Sequence, residues 1–137
     1  MRIVLDTNVL VSGLLSPFGP PAEIVRMVSS GELTLCLDAR LLSEYADVLR
    51  RPKFQFAEDH VAALLEQVEH DGLLVAPGPL PHPLPDPDDE PFLAVAIAGN
   101  AECLVTGNLG HFPVELRQGV RVLSPAQFRT FYRKHTE

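Results

Sequence analysis

The 137 residues, 46% hydrophobic and 21% charged, match ordinary globular usage and suffice for one well-formed core, which excludes wholesale disorder. The longest uncharged apolar stretch near the start, Val9 to Phe18, is interrupted by Ser12, Gly13, Ser16 and Pro17 and falls far short of the ~20 residues a membrane span needs. A net charge of −7 argues against a sequence-independent DNA coat, whose affinity comes from neutralising phosphates with Lys and Arg.

Ile3-Val4-Leu5 predicts a first strand, ended by Asp6-Thr7-Asn8. Ala22 to Ser29 carries helical periodicity, and Leu33 to Leu37 predicts a second strand after Gly31. A helix follows over Leu41 to Leu49, with Leu41, Tyr45, Val48 and Leu49 on one face, and another over His60 to His70, with Val61, Leu64, Leu65 and Val68 in a stripe. Leu73-Leu74-Val75 is the third candidate strand. The segment Pro77 to Pro91 holds seven prolines, at every second position as far as Pro87, and is expected to be a stiff loop, neither helix nor central strand. It leads into a helix over Phe92 to Ala98. Cys103-Leu104-Val105 and Val120 to Leu123 complete five candidate strands, and Ser124-Pro125 opens a last helix with Ser124 as N-cap. Strands alternating with helices predict an α/β fold in which a mainly parallel sheet is covered on both faces. In such sheets functional groups collect at the carboxyl ends of the strands.

Charge is segregated along the chain. Between Phe54 and Leu116 there is no Lys or Arg but there are eleven acids, while the rest sets eleven basic residues against seven acidic ones. Basic residues cluster at Arg50, Arg51 and Lys53, and again at Arg117, Arg121, Arg129, Arg133 and Lys134; solvated surface accounts for most of them. No basic leader with a cleavage site precedes the first apolar run, and Cys36 and Cys103 lack metal-ligand spacing. A single cytoplasmic domain over residues 1–137, with two buried, reduced thiols and no membrane association, is expected.

Asp6 at the end of the first strand and Asn108 just beyond the fourth should emerge at the same sheet edge. Asp86, Asp88 and Asp89 precede the Phe92 helix, and Glu44 lies in a helix otherwise patterned for burial. Clustered carboxylates repel unless protons or cations offset them. All-oxygen ligands without nearby Cys or paired His suit Mg²⁺ or Mn²⁺, and such an ion supports phosphodiester hydrolysis. The same residues have plainer uses. An Asp after a strand is a common turn former or cap, Asp88 or Asp89 can cap the Phe92 helix, and Glu44 can face solvent.

Four motifs in order, Ile3-Val4-Leu5-Asp6-Thr7-Asn8, Leu42-Ser43-Glu44-Tyr45 with Val48 to Phe54, Asp86-Pro87-Asp88-Asp89 before Phe92-Leu93, and Leu104-Val105-Thr106-Gly107-Asn108 before His111-Phe112-Pro113, resemble a PIN domain. The chain is most similar to the branch containing toxins of toxin–antitoxin systems. The resemblance implies a three-layer α/β/α sandwich and a divalent-metal-dependent endoribonuclease. It implies Asp6, Glu44 and Asp89 as the metal-centred acids, with Asp86 or Asp88 as substitutes or supporting partners. Thr7, Asn8 and Thr106 would orient them. Asn108 stands in the catalytic set where many relatives carry a fourth Asp, which puts a second metal in doubt. RNA as substrate, a small antitoxin protein and a second copy of the chain are the implied partners. Arg50, Arg51 and Lys53 follow the Glu44 helix and are expected to hold flanking RNA phosphates. The competing reading is a catalytically weak PIN-like domain that binds RNA or protein without cutting. Aspartate-nucleophile phosphatases want an acid where Asn8 stands, and receiver domains want a Lys near the last strand, where none lies.

Overall fold

The computed structural model describes residues 1–136. Strands β1 (Arg2–Leu5), β2 (Thr34–Leu37), β3 (Leu73–Leu74), β4 (Cys103–Val105) and β5 (Val122–Leu123) form one all-parallel sheet in the order β3-β2-β1-β4-β5. Ile3, Val4 and Leu5 are all fully buried, as a central strand covered on both faces requires. The register pairs Leu5 with Val105, and Asp6 N–H donates to the Val105 carbonyl at 2.9 Å. The chain therefore leaves β1 and β4 side by side, at Asp6 and Thr106.

Helices α1 (Thr7–Leu15) and α2 (Pro20–Ser29) connect β1 to β2, and α3 (Ala39–Leu49) and α4 (Glu58–Asp71) connect β2 to β3. The chain then turns back through the proline segment and α5 (Glu90–Ala98), past β2 and β1, to reach β4. Right-handed crossovers running in opposite directions lie on opposite faces of a sheet, which makes three layers. Helix α5, with sequence Glu-Pro-Phe-Leu-Ala-Val-Ala-Ile-Ala, has almost no polar face; it buries Phe92 to Ala96 against β1, β2, β4 and α3. The reversal of direction between β1 and β4 is the topological switch point where α/β sheets open a crevice.

All the predicted elements are present, with ends moved by one or two residues. Helix α6 (Pro125–Thr136) starts as expected: Ser124 Oγ accepts from Gln127 N–H at 3.1 Å while the Gln127 side chain accepts from Ser124 N–H at 2.9 Å. These are the reciprocal bonds of a capping box. Two features depart from expectation. The apolar stretch after Asn8 folds as α1, and Pro87–Asp89 within the proline segment forms a single 3₁₀ turn. That turn is closed by Asp89 N–H to the Asp86 carbonyl at 3.1 Å and by Glu90 N–H to the Pro87 carbonyl, and Pro87 sits at its first position, where the missing N–H costs nothing.

Candidate active site

Asp6 is 7% exposed at the switch point. Its Oδ2 accepts from the Thr106 hydroxyl at 2.8 Å and from the Asn8 amide at 3.4 Å. Burial raises the Asp6 carboxyl above the usual carboxylate range; the Thr106 bond, the nearby Thr7 and Asn8 backbone amides and His111 act in the opposite direction. Neither amide makes a capping bond with it, although Asp6 occupies the N-cap position of α1. The frame around it is stitched across the switch point. Asn8 Oδ1 accepts from Gly107 N–H at 3.0 Å, and Thr106 Oγ1 accepts from Asn108 N–H at 3.0 Å.

Glu44 reaches this frame from α3, where it is half-buried rather than solvent-facing. Its Oε2 accepts from the hydroxyl of Thr7, the residue after Asp6. The neighbouring Tyr45 is fully buried and donates its hydroxyl to the Leu5 carbonyl at 2.5 Å. That bond fixes α3 against the end of β1 and so sets Glu44 relative to Asp6. Burial first, then Asp6 and Glu44, hold the Tyr45 hydroxyl far above its ordinary pKa, so it stays protonated as a donor. In the sequence, Tyr45 reads as a core residue; its place beside Glu44 in the motif is the only sign of this positioning task.

Asp89 is 8% exposed at the end of the 3₁₀ turn. It starts α5 without making a capping bond, so the capping use does not apply to it. Its Oδ2 has no hydrogen-bond partner among the described residues: His111 Nδ1 lies 3.1 Å away, within ion-pair distance but without hydrogen-bond alignment. Burial raises its pKa to about 6, His111 opposes the rise, and Asp6, Asp86 and Asp88 add to it. Asp6 and Asp89 thus feel one another across the crevice. His111 acts on both; the fourth sequence motif includes it, but nothing in the sequence assigns it this role. Phe112, fully buried, anchors that loop.

The other expected residues are placed differently. Asp86 and Asp88 are exposed, and the Asp86 carboxylate accepts from Asp88 N–H at 2.9 Å, capping the turn. Asn108 is exposed at the rim, its backbone tied to Thr106. Arg50 makes a forked pair with Glu58, at 3.0 and 3.1 Å from Nε, and lines a groove between α3 and α4 with Leu42, Ala46 and Leu65. Arg51 pairs with Asp47 at 3.4 Å, and the Lys53 ammonium lies 5.1 Å from the Phe54 ring centre.

Among the described residues, no three His, Cys, Asp or Glu side chains gather closely enough to ligate one ion. Two buried carboxylates that favour protons, one with an orphaned oxygen, nevertheless fit a hard cation. Mg²⁺ commonly takes one or two carboxylates and keeps several waters.

A family model described as PIN domain matches residues 2–110. The chain is similar to uncharacterized protein MJ1680 of Methanocaldococcus jannaschii, 24% identical over 111 residues that cover 79% of this chain and 71% of that one. No solved structure gives a significant match. PIN domains are generally nucleases. With the match running from β1 to the loop that carries Asn108, and a five-stranded parallel sheet beneath it, the chain belongs to the PIN domain family and has its nuclease-type fold.

Proposed function

We propose that this PIN domain is an endoribonuclease dependent on Mg²⁺ or Mn²⁺, acting in the cytoplasm as the toxin of a toxin–antitoxin pair. The observation that carries the reading is the pair of buried carboxylates, Asp6 and Asp89, facing one crevice at the switch point with the Asp89 Oδ2 unpartnered. Asp6 and Asp89 would hold the ion, with Glu44 completing the acidic wall from α3. A bound ion supplies positive charge to a phosphodiester in transition and acidifies water into a nucleophile.

The chain's own residues do the rest. Thr106 and Asn8 fix the Asp6 carboxylate, Thr7 fixes that of Glu44, and Tyr45 holds the two elements in register. The Asn108 amide at the rim can donate to a phosphate oxygen of RNA. Arg50, Arg51 and Lys53 hold phosphates further along the strand. A protein partner, either the small antitoxin or a second copy of the chain, is supported by apolar side chains left in water at and just beyond the end of α1, with Leu15 57% and Phe18 83% exposed. Among the described residues, no helix is long and apolar enough to cross a membrane.

One feature favours a non-cleaving RNA- or protein-binding domain instead: Asn108 brings a neutral amide to the rim where a further charge would strengthen metal binding. Cleavage of a mixed RNA pool, followed while Mn²⁺ is titrated into wild type and Asp6→Asn, separates the two. The nuclease reading expects Mn²⁺-dependent cleavage by wild type and none by a folded Asp6→Asn. RNA binding without cleavage in wild type establishes the other reading.

A further inference from the structure

Upstream of the turn that carries Asp89, the proline segment has no task in the site described so far, yet it forms one wall of a cavity of about 280 Å³. Pro79, Leu80 and Pro83 face Ala94 of α5 across this space, and Arg40 and Glu90 supply its charged groups. Its position is tied to the acids. Glu90 follows Asp89 directly, and Arg40 precedes Glu44 by one turn of α3.

The cavity is pre-formed. Leu84 is 5% exposed, and its N–H donates to Glu90 Oε2 at 2.9 Å; further along, the His82 carbonyl accepts from the Gln118 amide at 3.2 Å. Pro83 between these anchors and Pro79 and Pro81 just upstream stiffen the wall. Arg40 is equally fixed, because its Nε and Nη2 both bond Asp38 Oδ2, at 2.8 and 2.7 Å, which holds the guanidinium plane still. Half of that side chain remains open to solvent.

We infer that this cavity is a nucleobase subsite, taking the base of an RNA nucleotide next to the scissile phosphate and discriminating against uracil. The place of the base next to a scissile phosphate rests on the nuclease reading; the recognition of the base does not. A flat ring system suits a small cavity walled by proline rings and Leu80, and a guanidinium held in one plane is a stacking platform. Glu90 Oε2 is occupied by Leu84, which leaves Oε1 to accept from a base. Cytosine and adenine offer an exocyclic amine, and guanine an amine beside a ring N–H. Uracil offers a single N–H flanked by two carbonyls that repel a carboxylate.

Binding is measured with short 2′-O-methyl oligonucleotides, which bind without being cut, in EDTA and again in Mn²⁺. Oligo(C) should bind wild type about tenfold more tightly than oligo(U), the scale of one hydrogen bond to a charged group. Glu90→Gln keeps a carbonyl for Leu84 N–H and should erase most of that ratio, because its amide can turn a donor toward uracil. Arg40→Lys keeps the charge and loses the plane, so all oligonucleotides should weaken by roughly tenfold with the C-to-U ratio intact. Equal binding of oligo(C) and oligo(U) by wild type, or an unchanged ratio in a folded Glu90→Gln, overturns the inference. Cleavage of ordinary RNA is scored separately: discrimination in binding without any cleavage defeats the nuclease reading and leaves the subsite standing, whereas cleavage without discrimination does the reverse.

Discussion

Asp6 and Asp38 carry the same sequence signal, an acid directly after a strand, and the structure gives them different tasks. Asp38 caps α3, accepting from Leu41 N–H at 3.1 Å, and pairs with Arg40. Asp6 makes no capping bond and is held instead by Thr106. The sequence motifs single out Asp6 and pass over Asp38; the difference in their tasks rests on what lies across the switch point. The role of His111, within the fourth motif, was illegible for the same reason. The raised pKa of Asp89, about 6 against an ordinary 3.8, has a signed consequence for stability. The folded protein holds this proton more tightly than the unfolded chain, so without metal stability falls as pH rises from about 4 to about 6. The full effect is roughly 3 kcal/mol at neutral pH. Asp89→Asn should therefore raise the melting temperature in EDTA at pH 7.5 and change it little at pH 4, and Mn²⁺ should stabilise wild type but not the variant; urea or thermal unfolding under these conditions checks both. Asn108→Asp should tighten Mn²⁺ binding, since it replaces a neutral amide with a charged carboxylate. Bound metal and cleavage rate, titrated together, decide its meaning. Tighter binding with faster cleavage marks the natural Asn as weakening the enzyme, tighter binding at equal rate shows that one ion suffices, and unchanged binding places Asn108 outside the metal site.

Most elements were legible from apolar periodicity, and α1 shows why one was not. Its sequence, Thr-Asn-Val-Leu-Val-Ser-Gly-Leu-Leu, buries Val9, Leu10 and Val11 in succession, packed against α2 on one side and α3 on another. A helix covered on several sides has no polar stripe to announce it. Gly13, which reads as a breaker, permits a close crossing instead: a Cβ there would lie 2.5 Å from Val25 Cγ2 and 2.8 Å from the Pro21 carbonyl oxygen. The Val25 methyl can move, but the backbone oxygen cannot move cheaply. Gly13→Ala should thus destabilise the protein by about 1–2 kcal/mol, the overpacking cost exceeding the ~1 kcal/mol that Ala gains over Gly in a helix. A more stable variant in urea unfolding would show that the crossing is looser than its geometry indicates. The 3₁₀ turn at Pro87–Asp89 was hidden in the sequence because prolines exclude long helices but not a single turn, and it is this turn that delivers Asp89 to the crevice.

Across the whole molecule, the segregation of charge seen in sequence becomes local pairing rather than one basic face. Arg50 answers Glu58 and Arg51 answers Asp47, so the cluster expected to hold RNA is partly neutralised within the protein itself. Exposed pairs like these contribute between 0 and about 1 kcal/mol each. Replacing Arg50 and Arg51 together with Ala should leave the melting temperature nearly unchanged. If both arginines neutralise phosphates, the slope of log affinity against log salt should fall by about 0.7 for each phosphate left unneutralised; filter binding of single-stranded RNA across a salt series measures it, and an unaltered slope assigns both arginines to the protein surface alone. The joining of β1 to β4 has a consequence in time as well as in space. Synthesis delivers Asp6 and Glu44 early, but the strand that pairs with β1 at the switch point, and Thr106 behind it, come a hundred residues after Asp6. A nascent chain that stops short of β4 can already hold all three acids, Asp6, Glu44 and Asp89, but no partner strand sets Asp6, so the crevice is complete only once β4 and Thr106 have been made.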